Sequence, residues 1–138
     1  MISVRKQEVV KLEDVLHLYQ AVGWTNYTHQ PQMLEQALSH SLAIYLAHDG
    51  DSVVGLVRLV GDGFSSVFVQ DLIVLPSYQR QGIGGALMKE ALGDFKDAYQ
   101  VQLVTDQTEK TLGFYRSLGF ETLSTYDCTG MIWVDRKR

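Results

Sequence analysis

The run Leu72-Ile73-Val74-Leu75 ends at Pro76, and no other stretch constrains the fold of this 138-residue chain so tightly. A polar loop follows, Ser77-Tyr78-Gln79-Arg80-Gln81, and then Gly82-Ile83-Gly84-Gly85 places three glycines in four residues. Behind them Ala86, Leu87, Ala91, Leu92 and Phe95 recur at helical spacing. A buried strand that feeds a glycine-rich turn and then a helix builds an anion site. The first backbone N–H groups of a helix have no intrahelical acceptor, and the helix dipole adds partial positive charge there. Glycine lets a phosphate come close to those groups. The loop is therefore expected to hold a phosphorylated cofactor.

Two common phosphate loops do not fit. The GxxxxGK[ST] pattern is absent because Lys89 does not follow a glycine, and GxGxxG fails because Gly82-Ile83-Gly84-Gly85-Ala86-Leu87 has no third glycine at the right offset. What remains is Gln79-x-x-Gly82-x-Gly84 after a strand. About thirty residues on stands Phe114-Tyr115-Arg116-Ser117-Leu118-Gly119-Phe120. The first motif resembles the [Q/R]-x-x-G-x-[G/A] pyrophosphate loop of the GNAT N-acetyltransferase superfamily, and the second resembles that family's FYxxxGF signature. The segments Gly23-Trp24-Thr25-Asn26-Tyr27 and Gln70-Asp71-x-x-Val74-x-Pro76-x-Tyr78-Gln79 resemble a bacterial GNAT subgroup related to arylalkylamine and serotonin acetyltransferases.

Length and composition agree with one domain over residues 1–138. Apolar residues make up 46% of the chain, enough for a core without disulfide or metal staples. The single cysteine, Cys128, excludes an intramolecular disulfide and any cysteine-based metal cluster. A cytoplasmic location is the expectation, because the start of the chain shows no apolar leader and no stretch approaches the ~20 apolar residues of a membrane span. The net charge of −4 argues against nucleic acid. The one basic cluster, Arg136-Lys137-Arg138, reads as a solvated tail. His17, His29, His40 and His48 show no metal spacing, so no metal site is expected.

Periodicity predicts a short strand over 2–5 and a helix on Leu12, Val15, Leu16, Tyr19 and Val22 that stops at Gly23. A second helix begins at Pro31 and carries Leu34, Ala37, Leu38 and Leu42. Strands over 43–47 and 53–60 flank Asp49-Gly50-Asp51 as a hairpin, and a long central strand covers 67–74. A helix is expected over 82–99, a strand over 101–105, and a short helix capped by Asp106 with Glu109 and stopped at Gly119. Strands over 120–126 and 131–134 would close the chain. This order matches the GNAT fold. The resemblance implies an α/β architecture with a mixed, mostly antiparallel sheet flanked by helices, whose two parallel central strands splay into a V.

The resemblance also implies acetyl-CoA as cofactor. Its pyrophosphate would lie on Gln79, Arg80, Gln81, Gly82, Ile83, Gly84 and Gly85, and its pantetheine arm along Leu72, Ile73 and Val74. Thr108 and Thr111 depart from the asparagine and alanine common in the family, although Thr108 can still reach the cofactor through a hydrogen bond. Acetyl transfer to an amine by direct attack requires a fixed cofactor, a deprotonated amine and a proton for the departing thiolate. Tyr115 is the candidate acid, since a phenol is protonated at neutral pH. A core tyrosine on the Leu112-Tyr115-Leu118 stripe is the other reading. Asp71 interrupts an apolar strand, which is costly unless the carboxylate is functional or paired. It is either the base that accepts the amine proton or the partner of Arg58. Trp24, Tyr27 and Arg58 are the candidate acceptor-side residues, with Phe64 and Trp133 near them, and Trp24 and Tyr27 serve equally as core-edge aromatics.

The expected activity is acetyl-CoA-dependent N-acetylation of a primary amine of a small molecule. A protein amine acceptor and a non-catalytic acyl-CoA sensor stand as alternatives. A homodimer is expected from the family and from an exposed last strand.

Overall fold

In the computed structural model, residues 1–134 are described. They fall into two compact units, 1–103 and a second that begins at Val104. The terminal basic cluster lies outside the described residues.

The first unit holds β1 (Ile2–Lys6), α1 (Leu12–Ala21), α2 (Thr25–Thr28), α3 (Pro31–Ser39), β2 (Ala43–Asp49), β3 (Ser52–Gly61), β4 (Ser66–Val74), α4 (Ile83–Asp94) and β5 (Gln100–Leu103). Its five strands form one sheet in chain order. β1 to β4 run antiparallel to their neighbours, and β4 and β5 run parallel. A parallel neighbour needs a crossover, which α4 supplies.

Side chains of successive strand residues point to opposite faces, and the sheet buries both. On one face Ile44, Leu46, Leu56 and Ile73 pack with Val15, Leu18, Tyr19, Tyr27, Leu34 and Leu38 from α1, α2 and α3. On the other, Ala47 and Gly55 lie against Leu87 of α4. The β2 and β3 interiors are accordingly buried throughout, and they read in sequence as continuous apolar runs rather than as alternation.

The β3–β4 turn sets the register of the two strands that carry Arg58 and Asp71. Gly61 adopts φ +126°, and a Cβ there would collide with the Ser66 carbonyl. Asp62 accepts backbone N–H bonds from Phe64, Ser65 and Ser66 at 2.7, 2.8 and 3.1 Å, which closes the turn. The register then slips by one residue, because Arg58 pairs with Asp71 while Leu59 pairs with Val69. Gln70 is thus an extra residue in β4, a β-bulge.

The second unit holds α5 (Glu109–Ser117) and a single 3-10 turn at Leu123–Tyr126. Three expectations are corrected here. Asp106 does not cap α5. Thr108 does, accepting from the Thr111 N–H at 3.3 Å, while Asp106 accepts from the Thr108 N–H and hydroxyl at 3.0 and 2.7 Å. The segment 120–126 is not a strand. Thr125 and Cys128 donate to the carbonyls of Thr122 and Leu123 at 3.1 and 3.0 Å, and the Thr122 and Ser124 hydroxyls meet at 3.1 Å. Such local bonds compete with a ladder. Residues 131–134 likewise form no strand, for apolar alternation makes one only when a neighbouring strand is on hand.

Replacing Gly61 with Ala should cost more than about 1 kcal/mol of stability, because both the backbone angle and the Ser66 carbonyl oppose a Cβ. Urea denaturation followed by circular dichroism measures this loss.

Candidate active site

β4 is paired to β3 as far as Val74, but its ladder with β5 covers only Ser66 to Val69. From Gln70 onward the second edge of β4 has no strand paired to it among the described residues. Backbone N–H and C=O groups on such an edge need partners, and an extended chain bearing amides supplies them. Leu72, Ile73 and Val74 lie on this stretch, where the pantetheine arm is expected.

At the end of that edge the chain turns onto α4. Leu75 donates to the Val54 carbonyl at 2.9 Å, and Pro76–Tyr78 form a 3-10 turn. The Tyr78 hydroxyl donates to Asp49 at 2.6 Å, and the Gln79 side-chain amide donates to the Val74 carbonyl at 3.1 Å. Gln79 thus braces the loop with its side chain. Arg80 and Gly82 both stand in the left-handed region, at φ +67° and +80°. For arginine that conformation is uncommon and strained, and strain of this kind gathers where backbone groups are aimed at a ligand.

Gly82 is the N-cap of α4. The Ala86 N–H donates to the Gly82 carbonyl at 3.0 Å, so by helix geometry the N–H groups of Ile83, Gly84 and Gly85 have no intrahelical acceptor. No acidic residue occupies the first turn of this 12-residue helix. A Cβ at Gly82 would meet nothing within 4 Å, so no other group crowds Gly82 itself. These features suit a phosphate group.

Beside the open edge sits a buried polar cluster. Arg58 and Asp71 are 4% and 3% exposed. Asp71 Oδ2 accepts from Arg58 Nε and the Tyr19 hydroxyl, each at 2.8 Å, and Oδ1 accepts from the Tyr27 hydroxyl at 2.9 Å. Arg58 Nη1 donates to Ser41 Oγ at 3.2 Å and the Ala37 carbonyl at 3.4 Å, and Nη2 donates to the Tyr27 oxygen at 3.2 Å. The pairing alternative for Asp71 is therefore formed. Burial, then the Asp71 charge, pushes Tyr19 well above the usual phenol range and raises Tyr27 as well. Both phenols remain neutral donors at physiological pH. Burial works most strongly against the Arg58 charge, but Asp71 together with Tyr19 and Tyr27 raises the guanidinium overall.

Of the expected acceptor-side residues, Arg58 and Tyr27 are thus buried in this cluster and face inward. Trp24 is half-buried and packs edge-on to Tyr19, with ring centroids 6.1 Å apart. Phe64 stands exposed on the β3–β4 turn. Sequence reasoning missed Tyr19 as a polar participant. The signal was available, since a tyrosine on a core stripe needs a partner for its hydroxyl and Asp71 is a carboxylate in a core strand. It also passed over Gln70, whose side chain donates to the Tyr27 oxygen at 3.4 Å.

In the second unit, Tyr115 packs edge-on against Phe114 and Phe120 at 5.0 and 5.9 Å. Its hydroxyl makes no hydrogen bond among the described residues. Burial, with a smaller contribution from Asp106, holds its pKa above the usual value. Thr108 directs its hydroxyl to Asp106 and the α5 N-terminus. Trp133 lies in this unit and is exposed.

The family pattern described as an acetyltransferase (GNAT) domain matches residues 40–122. A solved structure of a GNAT-family acetyltransferase from Streptococcus pneumoniae TIGR4 is 80% identical, covering 99% of this chain and 100% of that one, with a TM-score of 0.92. This chain belongs to the GNAT acetyltransferase family, with that family's mixed α/β sheet. A curated relative, "Serotonin N-acetyltransferase 2, chloroplastic" of Oryza sativa subsp. japonica, is 33% identical over 66% of this chain. The chain spans about half of that relative's length, 48%. A structure of AAC(6')-Iy in complex with the bisubstrate analog CoA-S-monomethyl-acetylneamine shares the fold, with TM-score 0.69 and 20% identity over 100% of this chain and 99% of that one. GNAT acetyltransferases use acetyl-CoA. The open β4 edge, the first turn of α4 free of acidic residues and the clear space at Gly82 fit that cofactor.

Asp71→Asn should destabilise the protein by about 3–5 kcal/mol, because it leaves the Arg58 charge buried and uncompensated. Urea denaturation of the variant against the parent tests this.

Proposed function

We propose that this protein transfers the acetyl group of acetyl-CoA to the primary amine of a small molecule by direct attack. The observation that carries the reading is the join between the open edge of β4 and the glycine-opened N-terminus of α4. One continuous stretch of backbone there offers amide partners and then an anion site.

Acetyl-CoA supplies an acyl group activated as a thioester. The N–H groups of Ile83, Gly84 and Gly85 bind its pyrophosphate, with Arg80 and Gln81 in the preceding loop. Leu72, Ile73 and Val74 orient the pantetheine arm through their backbone. The incoming amine forms the N–C bond as the C–S bond breaks, and its surplus proton passes to water. Asp71 is a positioning residue, since its two oxygens already accept three hydrogen bonds within the cluster. Tyr115, held protonated by its burial, gives its proton to the departing thiolate. Thr108 serves this arrangement by capping the helix that carries Tyr115.

Trp24 forms part of the acceptor wall, and the rice relative's name favours an arylalkylamine over a protein side chain. A homodimer belongs to the same reading by family resemblance, although the last strand expected to offer an edge does not form. The charge of −4 speaks against nucleic acid as a partner, and the lone cysteine suits the cytoplasm. Among the described residues no helix is long and apolar enough to cross a membrane.

The test is thiol release from acetyl-CoA with serotonin, an aminoglycoside and a lysine peptide as acceptors. Amine-dependent release with serotonin supports the reading. Release with the peptide alone moves the acceptor to proteins, and tight cofactor binding without release makes the protein a sensor. Gly82→Val should weaken acetyl-CoA binding more than tenfold, about 1.4 kcal/mol, by calorimetry on the folded variant. Tyr115→Phe should lower kcat by roughly 10- to 10,000-fold with acetyl-CoA affinity unchanged. Full turnover in that variant would return Tyr115 to a packing role.

A further inference from the structure

Gln70 is the extra residue of the β4 bulge, and it sits where the pairing with β5 stops. The bulge brings Gln70 and Asp71 to the same phenol. Asp71 Oδ1 lies 2.9 Å from the Tyr27 hydroxyl, and Gln70 Nε2 lies 3.4 Å from it. Gln70 is also exposed, whereas Tyr19, Tyr27, Arg58 and Asp71 are all buried. It is the link between the buried cluster and the open edge.

The cluster dictates which way the Gln70 amide points. A phenol has one proton, and a carboxylate paired with Arg58 can only accept, so that proton goes to Asp71. Arg58 Nη2 can only donate, and it meets the same phenol oxygen at 3.2 Å. What Gln70 offers to Tyr27 must therefore be a donor. Its Nε2 therefore faces Tyr27, which leaves Oε1 as the acceptor of the amide.

Its place along the strand matters equally. Four residues separate Gln70 from Val74, about 13 Å at a strand rise of ~3.3 Å. In the proposed reading, a pantetheine arm laid along Leu72, Ile73 and Val74 runs along this stretch toward Gln70.

We infer that Gln70 is the residue that receives the acceptor amine, its Oε1 accepting an N–H of the incoming primary amine and aiming the nitrogen lone pair at the acyl carbon. The inference rests on the acetyl-transfer reading. A neutral amide can hold an N–H without holding the amine as an ammonium ion, which a carboxylate at this position would favour. The orientation is set through Tyr27, a positioning residue, by the Arg58–Asp71 pair.

The test measures steady-state kinetics with whichever amine of the panel turns over fastest, in the parent protein, Gln70→Leu and Gln70→Glu. Gln70→Leu should raise KM for the amine about tenfold and lower kcat, with KM for acetyl-CoA little changed and the melting temperature retained. Gln70→Glu restores an acceptor and should recover the amine KM while shifting its pH dependence. A second readout needs no turnover: the side-chain amide proton signals of Gln70, identified by their loss in Gln70→Leu, should move in Tyr27→Phe. An unchanged amine KM in Gln70→Leu overturns the inference. So does a fall in melting temperature with both KM values raised, which would mark a structural role, or an amide signal indifferent to Tyr27. If the parent protein itself acetylates none of the amines, the acetyl-transfer reading has failed, and this inference falls with it.

Discussion

The Arg58–Asp71 ion pair holds the rest of the site in place. Two charges taken out of water are tolerated only when each is matched in geometry and the remaining hydrogen-bonding capacity is satisfied. Here Asp71 takes three donors, and Arg58 reaches the end of α3, Ser41 and the phenol of α2. The pair therefore ties two adjacent strands to α1, α2 and the α3 terminus. A buried ion pair adds little net stability compared with an apolar substitute. What it supplies is registry, since β3, β4 and three helices must all stand where their polar groups meet.

That registry bears on the chemistry through the bulge. An extra residue in β4 allows Asp71 to face the helices while Gln70 stays exposed beside it. The same strand is paired on one edge to Val74 and on the other only to Val69. A sheet that stops pairing halfway along a strand leaves backbone amides in need of partners, and α4 sets a positive helix end just beyond them. In the proposed reading, binding and orientation follow from one strand, one bulge and one helix start, with few side chains committed.

Much of this was legible in the residues. Pro76, the three glycines and the periodic helix behind them announced the loop, because left-handed or closely approached backbone needs glycine. The β strands of the first unit fell where apolar runs lie between turn residues. The late strands did not. Residues 120–126 contain Thr122, Ser124 and Thr125, whose hydroxyls and backbone close a local turn, and pattern alone does not weigh that turn against a ladder. Asp106 and Thr108 are both good capping residues two positions apart, and only the folded chain shows that Thr108 caps the helix while Asp106 holds Thr108.

The sequence by itself determined the family, the glycine-rich loop ahead of a helix and the oddity of a carboxylate in an apolar strand. These are local or motif-borne properties, carried by residues close together in the chain. It left open whether Asp71 was a base or a partner, and it could not see Tyr19 or the orientation of Gln70. Those depend on which side chains meet across 52, 44 and 13 residues of chain, from Asp71 to Tyr19, Tyr27 and Arg58. A one-residue slip between β3 and β4 would separate Arg58 from Asp71, and a pattern read along the chain does not reveal such a slip. Tertiary structure decided it, because hydrogen bonds to a buried charge act only at contact and have a direction.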